Sequence, residues 1–160
     1  MADVRLSVRL AAMDEAGLVR TIMLAAFKEY AGALAVESSA LAESVEDVER
    51  AMQSGGAVLA FLGAEAVGSA RFRPEADGMY VSRVAVLPAY RRQGVASALM
   101  RFLEDVALAD RRRLIHVEVR DSLPGNVTLY QSLGYEVIAI EPHPRGPDRV
   151  WTMHKQLSGL

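Results

Sequence analysis

The stretch Val84-Ala85-Val86-Leu87-Pro88-Ala89-Tyr90-Arg91-Arg92-Gln93-Gly94-Val95-Ala96 holds the residues best arranged for chemistry. A valine-rich strand ends at Pro88, a basic loop with one glycine follows, and a helix starts at Val95. The first turn of a helix leaves backbone N–H groups without intrahelical partners, and the macrodipole adds positive potential there. A phosphate or pyrophosphate suits such a place. Gly94 lets the backbone approach a ligand closely, Ala96 keeps the next turn narrow, and Arg91 and Arg92 add charge at the mouth. No Gly-Lys-Ser/Thr follows, so this is not a P-loop, and the Gly-x-Gly-x-x-Gly of dinucleotide folds is missing. On these residues alone a nucleotide or phosphate binder is open. Cysteine is absent, which removes thiol nucleophiles, disulfides and thiolate metal ligands together. The histidines, His116, His143 and His154, are scattered, so no metal site is expected. His143 and His154 read as surface residues.

The elements that must position this loop follow from periodicity. Residues 5–11 alternate, with Leu6, Val8 and Leu10 on one side, and predict a half-buried strand. Residues 14–34 predict a helix interrupted at Gly32, with Leu18, Ile22, Met23, Ala26 and Phe27 as its apolar stripe. Ser44 is an N-cap for a helix through Gln53 that Gly55-Gly56 ends. Residues 57–62, 66–73 and 79–87 read as three successive antiparallel strands, with turns at 63–65 and 74–78. A helix over 95–109 presents Leu99, Phe102, Leu103 and Val106. A strand over 114–119, a short helix over 124–133 stopped by Gly134, and strands over 135–141 and 149–157 complete the chain. The order β-α-α-β-β-β-α-β-α-β-β implies an α/β (α+β) domain over residues 1–160, a mixed sheet with helices on its faces.

Composition agrees. A chain of 160 residues buries about 70% of its unfolded surface, enough for one core. The 51% hydrophobic and 24% charged content excludes a disordered chain. A net charge of −2 gives no reason to expect nucleic acid as a partner. No apolar run reaches the 18 or so residues of a membrane span, and residues 1–8 show no export signal, so a cytoplasmic protein without a membrane partner is expected. Of the 18 basic residues only Lys28 and Lys155 are lysines. Arg111-Arg112-Arg113 reads as a solvated cluster after a helix C-terminus.

Arg91-x-x-Gly94-x-Ala96 after Val-x-Val-x-Pro resembles the acyl-CoA-binding motif of the GNAT superfamily of acetyl-CoA-dependent N-acetyltransferases. Leu129-Tyr130-Gln131-Ser132-Leu133-Gly134-Tyr135 resembles the family's closing pattern, and the element order fits along nearly the whole chain. The resemblance implies a mostly antiparallel central sheet splayed between its two central strands, here residues 79–87 and 114–119, with a bulge in the first. It implies that backbone groups of Val84, Ala85 and Val86 pair with the pantetheine arm as an added strand. Amides from Arg92, Gln93, Gly94, Val95, Ala96 and Ser97 would hold the pyrophosphate beside Arg91, and the Val86 amide would be the oxyanion donor. Tyr130 matches the tyrosine that protonates the leaving thiolate. The acceptor, a small-molecule or peptide amine, would attack directly with no covalent enzyme intermediate.

The base that deprotonates the amine is not singled out: Glu118 and His116 share one strand face, Tyr80 and Ser82 another. Glu29 and Tyr30 lie on the first helix, where the family builds its acceptor pocket. Many members carry Asn seven residues before the tyrosine, where this chain has Leu123. Asn126, four before Tyr130, is either a cofactor contact or a brace for the short helix. A non-catalytic acyl-CoA-binding sensor is the rival reading, and a homodimer is compatible with the family.

Overall fold

The computed structural model describes residues 5–30 and 38–158. Its elements are β1 (Leu6–Leu10), α1 (Ala16–Phe27), α2 (Val45–Ser54), β2 (Gly56–Leu62), β3 (Glu65–Glu75), β4 (Gly78–Val86), α3 (Val95–Ala109), β5 (Leu114–Arg120), α4 (Pro124–Ser132), β6 (Glu136–Pro142) and β7 (Arg149–Gln156). The strands form one sheet in the order β1-β2-β3-β4-β5-β7-β6. Every neighbouring pair is antiparallel except β4 and β5. This is the mixed, mostly antiparallel sheet expected from the sequence.

Helices cover both faces, and β2, between them, is apolar on both sides. Val58 and Ala60 of β2 face the cluster built on Leu99, Met100 and Leu103 of α3, together with Ile115, Val117 and Met153. Ala57 and Leu59 face the other cluster, with Val19, Ile22, Val48 and Met52 of α1 and α2. Gly68 brings α3 close to the sheet: a Cβ there would stand 2.9 Å from Val95 Cγ1 and 3.1 Å from the Ala85 carbonyl oxygen. Ser44 caps α2 by accepting from the Asp47 N–H at 3.1 Å while Asp47 accepts from the Ser44 N–H at 2.9 Å, a full capping box.

Some expectations are corrected. The helix expected over 14–34 divides into a 3₁₀ turn (Met13–Glu15), α1, and a second 3₁₀ turn (Lys28–Tyr30). The interruption at Gly32 and the Tyr30 side chain lie outside the described residues. Leu18 points outward at 36% exposure, because the buried stripe is Ala16, Val19, Ile22, Met23 and Ala26. Leu10 is 51% exposed: only Leu6 and Val8 of edge strand β1 reach the α3 cluster. Phe102 and Val106 are only partly buried, and Met100 and Ala107 take the deeper positions on α3. The turn expected over 74–78 shrinks to Ala76-Asp77, since Pro74 pairs with Met79. Pro74 is tolerated there because β3 has already run past the start of β2, which pairs Gly56 with Phe72 and leaves no neighbour needing the missing N–H.

Candidate active site

The parallel pairing of β4 and β5 stops early. Met79 lies opposite Ile115 and Tyr80 opposite His116, and no register partner links the two strands beyond them. Their outer neighbours continue to pair, β4 with β3 and β5 with β7. The sheet is therefore split from within. A bulge accompanies the split. Ser69 pairs with Ala85 but Arg71 pairs with Ser82, so β4 carries one more residue than β3 across this interval. Arg83 sits in that interval with φ at 54°, a left-handed conformation rare for a residue with a side chain. The extra residue exchanges the faces. Met79 and Val81 face α3 before it, and Val84 and Val86 face α3 after it.

Past the bulge the backbone turns donors into the split. The Leu87 N–H donates to the Val67 carbonyl oxygen at 2.9 Å, which makes Val86, opposite Gly68, a position whose own N–H points away from β3. That N–H faces the side where β5 has left. The loop to α3 then winds through Arg92 at φ 62° and Gly94 at φ 80°. Gly94 is the N-cap of α3 and brings no capping side chain, so the first N–H groups of the helix are presented outward. A Cβ at Gly94 would meet nothing within 4 Å, which means the space above the loop is open.

These surfaces line one cleft of about 940 Å³ between the parted strands, the Arg91-to-Ser97 loop and α4. Val84, Ala85, Val86, Arg91, Arg92, Gly94, Val95, Ala96, Ser97, Tyr80, Ser82, Glu118, Asn126 and Tyr130 all line it. Gln93 does not: its side chain turns back and donates to the Ala89 carbonyl oxygen at 3.3 Å. Arg91 forms an ion pair with Glu29 and donates to the Ala26 carbonyl oxygen at 3.1 Å. Glu29, expected as an acceptor contact, ties the turn after α1 to Arg91 of the loop before α3 and does not line the cleft.

Residues 14–135 match the Acetyltransferase (GNAT) family. The chain belongs to that family. The fold is shared with solved GNAT structures at low sequence identity. The ribosomal-protein-S18-alanine N-acetyltransferase from Escherichia coli is 19% identical, with a TM-score of 0.78 over 98% of this chain and 96% of that one. yncA from Salmonella typhimurium, solved with its cofactor acetyl-CoA, is 18% identical, with a TM-score of 0.76 over 97% and 95%. A GCN5-related N-acetyltransferase structure from Rhodopseudomonas palustris is 18% identical, with a TM-score of 0.77 over 98% and 99%. No curated protein matches the sequence significantly.

Tyr130 projects from α4 of this GNAT chain into the cleft at 7% exposure, with its ring edge-on to Tyr135 at 5.7 Å. Burial, with the nearby Tyr80 adding to it, pushes its phenol well above the ordinary value. The group therefore stays protonated and is a donor. Tyr80 stacks on His116 at 4.7 Å and lies under the Arg73 guanidinium at 4.6 Å. Burial first, then the Glu118 charge, raises its phenol. His116 is drawn toward Glu75 at 3.4 Å and does not line the cleft. Glu118 is exposed and lines it. Asn126 does not cap α4, whose N-cap is Leu123, and it lines the cleft.

Two groups of this GNAT site escaped the sequence reading. Glu43 accepts from Arg71 Nη1 at 2.6 Å and from Arg83 Nε at 2.7 Å, and Arg83 Nη2 donates to Ser39 Oγ at 2.9 Å. Burial alone would raise the Glu43 carboxyl, but the two guanidinium bonds outweigh it and hold it below the usual range. The second group is the loop between β6 and β7. His143, expected as a surface residue, lines the cleft with Arg145, and Arg120 joins them from the end of β5. Partners far apart in sequence define both groups, so no local motif announces them.

Proposed function

We propose that this protein transfers an acetyl group from acetyl-CoA to a primary amine by direct attack. The observation that carries the reading is the split between β4 and β5 opening onto an uncapped helix N-terminus. That arrangement offers strand-like donors to an extended arm and unpaired N–H groups to a diphosphate, which are the two parts of CoA. The open space above Gly94 and the positive flank of Arg91 and Arg92 fit the same group.

Acetyl-CoA supplies an activated acyl carbon as a thioester. The residues of this chain do the rest. Val84 and Val86 orient the arm through their backbone, and amides of Arg92 to Ser97 hold the diphosphate. The Val86 N–H points into the split, where it stabilises charge growing on the carbonyl oxygen. Tyr130 donates its proton to the sulfur as the carbon–sulfur bond breaks and the carbon–nitrogen bond forms. Glu118 receives the amine's proton, directly or through water. Without cysteine no acyl-thiol enzyme forms, so one step suffices.

Isothermal titration with acetyl-CoA, followed by a thiol-release assay over amines, tests the proposal. Micromolar binding with amine-dependent thiol release is expected. Absence of binding at millimolar acetyl-CoA overturns the reading, and binding without release by any amine leaves only a sensor.

A further inference from the structure

The charges lining the cleft are unequal. Among the described residues, Arg83, Arg91, Arg92, Arg120 and Arg145 face it with Glu118 as the one carboxylate. Arg91 and Arg92 belong to the loop before α3, and Arg83, Arg91 and Arg120 each also pair with a carboxylate outside the lining, Glu43, Glu29 and Asp148. Arg120 and Arg145 stand on a different wall, formed by the end of β5 and the loop between β6 and β7.

That wall is built. Asp148, with its side chain only 3% exposed, accepts from Arg120 Nη1 at 3.0 Å and Ser122 Oγ at 2.7 Å, and its carbonyl oxygen accepts from the His143 N–H at 2.8 Å. Asp148 thus anchors the loop from behind without lining the cleft. His143 Nδ1 accepts from the Arg145 N–H at 3.0 Å. A neutral imidazole that accepts at Nδ1 carries its proton on Nε2, so its other nitrogen is a donor. Burial, then the charges of Arg120 and Arg145, hold its pKa below the usual value, which keeps that neutral form at pH 7. Glu118 and Arg120 share one face of β5, two residues apart, or about 6.6 Å along the strand. One wall therefore carries an acceptor for an ammonium beside donors for an anion.

Resting on the acetyl-CoA reading above, the geometry points to an acceptor that carries a carboxylate close to its amine: a free amino acid or near analogue, its ammonium toward Glu118 and its carboxylate toward Arg120, His143 and Arg145. Charge-assisted hydrogen bonds from a guanidinium are the strong ones, and they are lost when the carboxylate is an amide. A polyamine would set like charge against the arginines, which disfavours it as an acceptor.

The test compares thiol release for amino acids, their carboxamides, the decarboxylated amines and a polyamine, with acetyl-CoA binding measured separately by titration. We expect kcat/KM for the best amino acid to exceed that of its carboxamide by about 30-fold or more, and Arg145→Gln to shrink that ratio about tenfold with acetyl-CoA affinity retained. Equal or better turnover of carboxamides or the polyamine overturns the inference. So does acetyl-CoA binding with no turnover of any carboxylate-bearing amine. In both cases acetyl-CoA binding survives. Failure to bind acetyl-CoA is the distinct result that removes the underlying reading and this inference together.

Discussion

Arg83 Nε donates to Glu43 Oε1 at 2.7 Å, and this bond joins the left-handed residue of the β4 bulge to the residue just before the cap of α2. The same carboxylate holds Arg71 of β3, so Glu43 spans the two strands on either side of the bulge. Its side chain is 14% exposed. The Arg83 conformation is costly for a residue with a Cβ and persists because its surroundings fix it.

Glu43→Gln removes the charge that both guanidinium groups share. Breaking a fully buried pair costs about 3–5 kcal/mol, and solvent at this site reduces the loss to roughly 2 kcal/mol. Thermal unfolding should shift down by several degrees. Acetyl-CoA affinity should fall as well, because the bulge sets the direction of the Val86 N–H. An unchanged melting temperature removes Glu43 as the clamp of the bulge.

Tyr130→Phe keeps the ring and its edge contact with Tyr135 and deletes only the hydroxyl. With the phenol pushed above its ordinary value, the wild-type group is protonated throughout the accessible pH range. It acts as an acid, and the pH–rate profile should show no alkaline loss of activity from Tyr130 below about pH 10. The variant should lose roughly 10²- to 10³-fold in kcat with acetyl-CoA binding unchanged. Full activity across the pH range rules out the acid role.

Gly68→Ala places a methyl group 2.9 Å from Val95 Cγ1 and 3.1 Å from the Ala85 carbonyl oxygen. The carbonyl belongs to β4 and cannot yield, and Val95, β-branched and helical, is stiff at χ1, so the methyl pushes against the first turn of α3. Overpacking of this kind costs about 1–3 kcal/mol. Cofactor affinity should drop more than tenfold, since the displaced turn is the one that presents N–H groups. Chemical denaturation and titration read the two effects separately.

Acid should loosen the loop that carries His143 and Arg145 before the core. Burial raises the Asp148 carboxyl, but bonds from Ser122 and Arg120 and two backbone N–H groups hold it below the value of 3.8 it has when free. A depressed folded pKa gives stability that is complete above the unfolded value and is lost as pH falls through the folded one. Limited proteolysis within 142–148 should therefore be slow at pH 7 and accelerate below about pH 4. Asp148→Asn should accelerate it already at pH 7. Equal cleavage rates for the variant and the wild type at pH 7 refute the anchoring role.

Much of the fold was legible because its causes are local. Ser44 with Asp47, Gly94 before Val95, and the alternating valines of β4 and β5 are signals that neighbours in sequence complete among themselves. The loop that leads through Gly94 into α3 was readable for the same reason. What could not be read depends on distant partners. Leu18 belongs to an apolar pattern, yet the stripe α1 buries is set by where the sheet and α2 meet it. Glu43 looks like any acidic residue before a helix until Arg71 and Arg83 reach it. His143 becomes part of the cleft only because Asp148, behind the loop, fixes its backbone. Glu29 sat in a reasonable place for an acceptor contact, but a partner 62 residues later took it.

The early end of the β4–β5 pairing also bears on association between molecules. An unpaired strand edge is a template for another strand and a common route to aggregation. Here the unpaired edges of Val81 to Val86 and Val117 to Arg120 are recessed within a cleft rather than placed at the rim of the sheet. On the acetyl-CoA reading proposed above, the recess takes one extended ligand arm, and its unpaired edges are kept back from the rim where another sheet would pair.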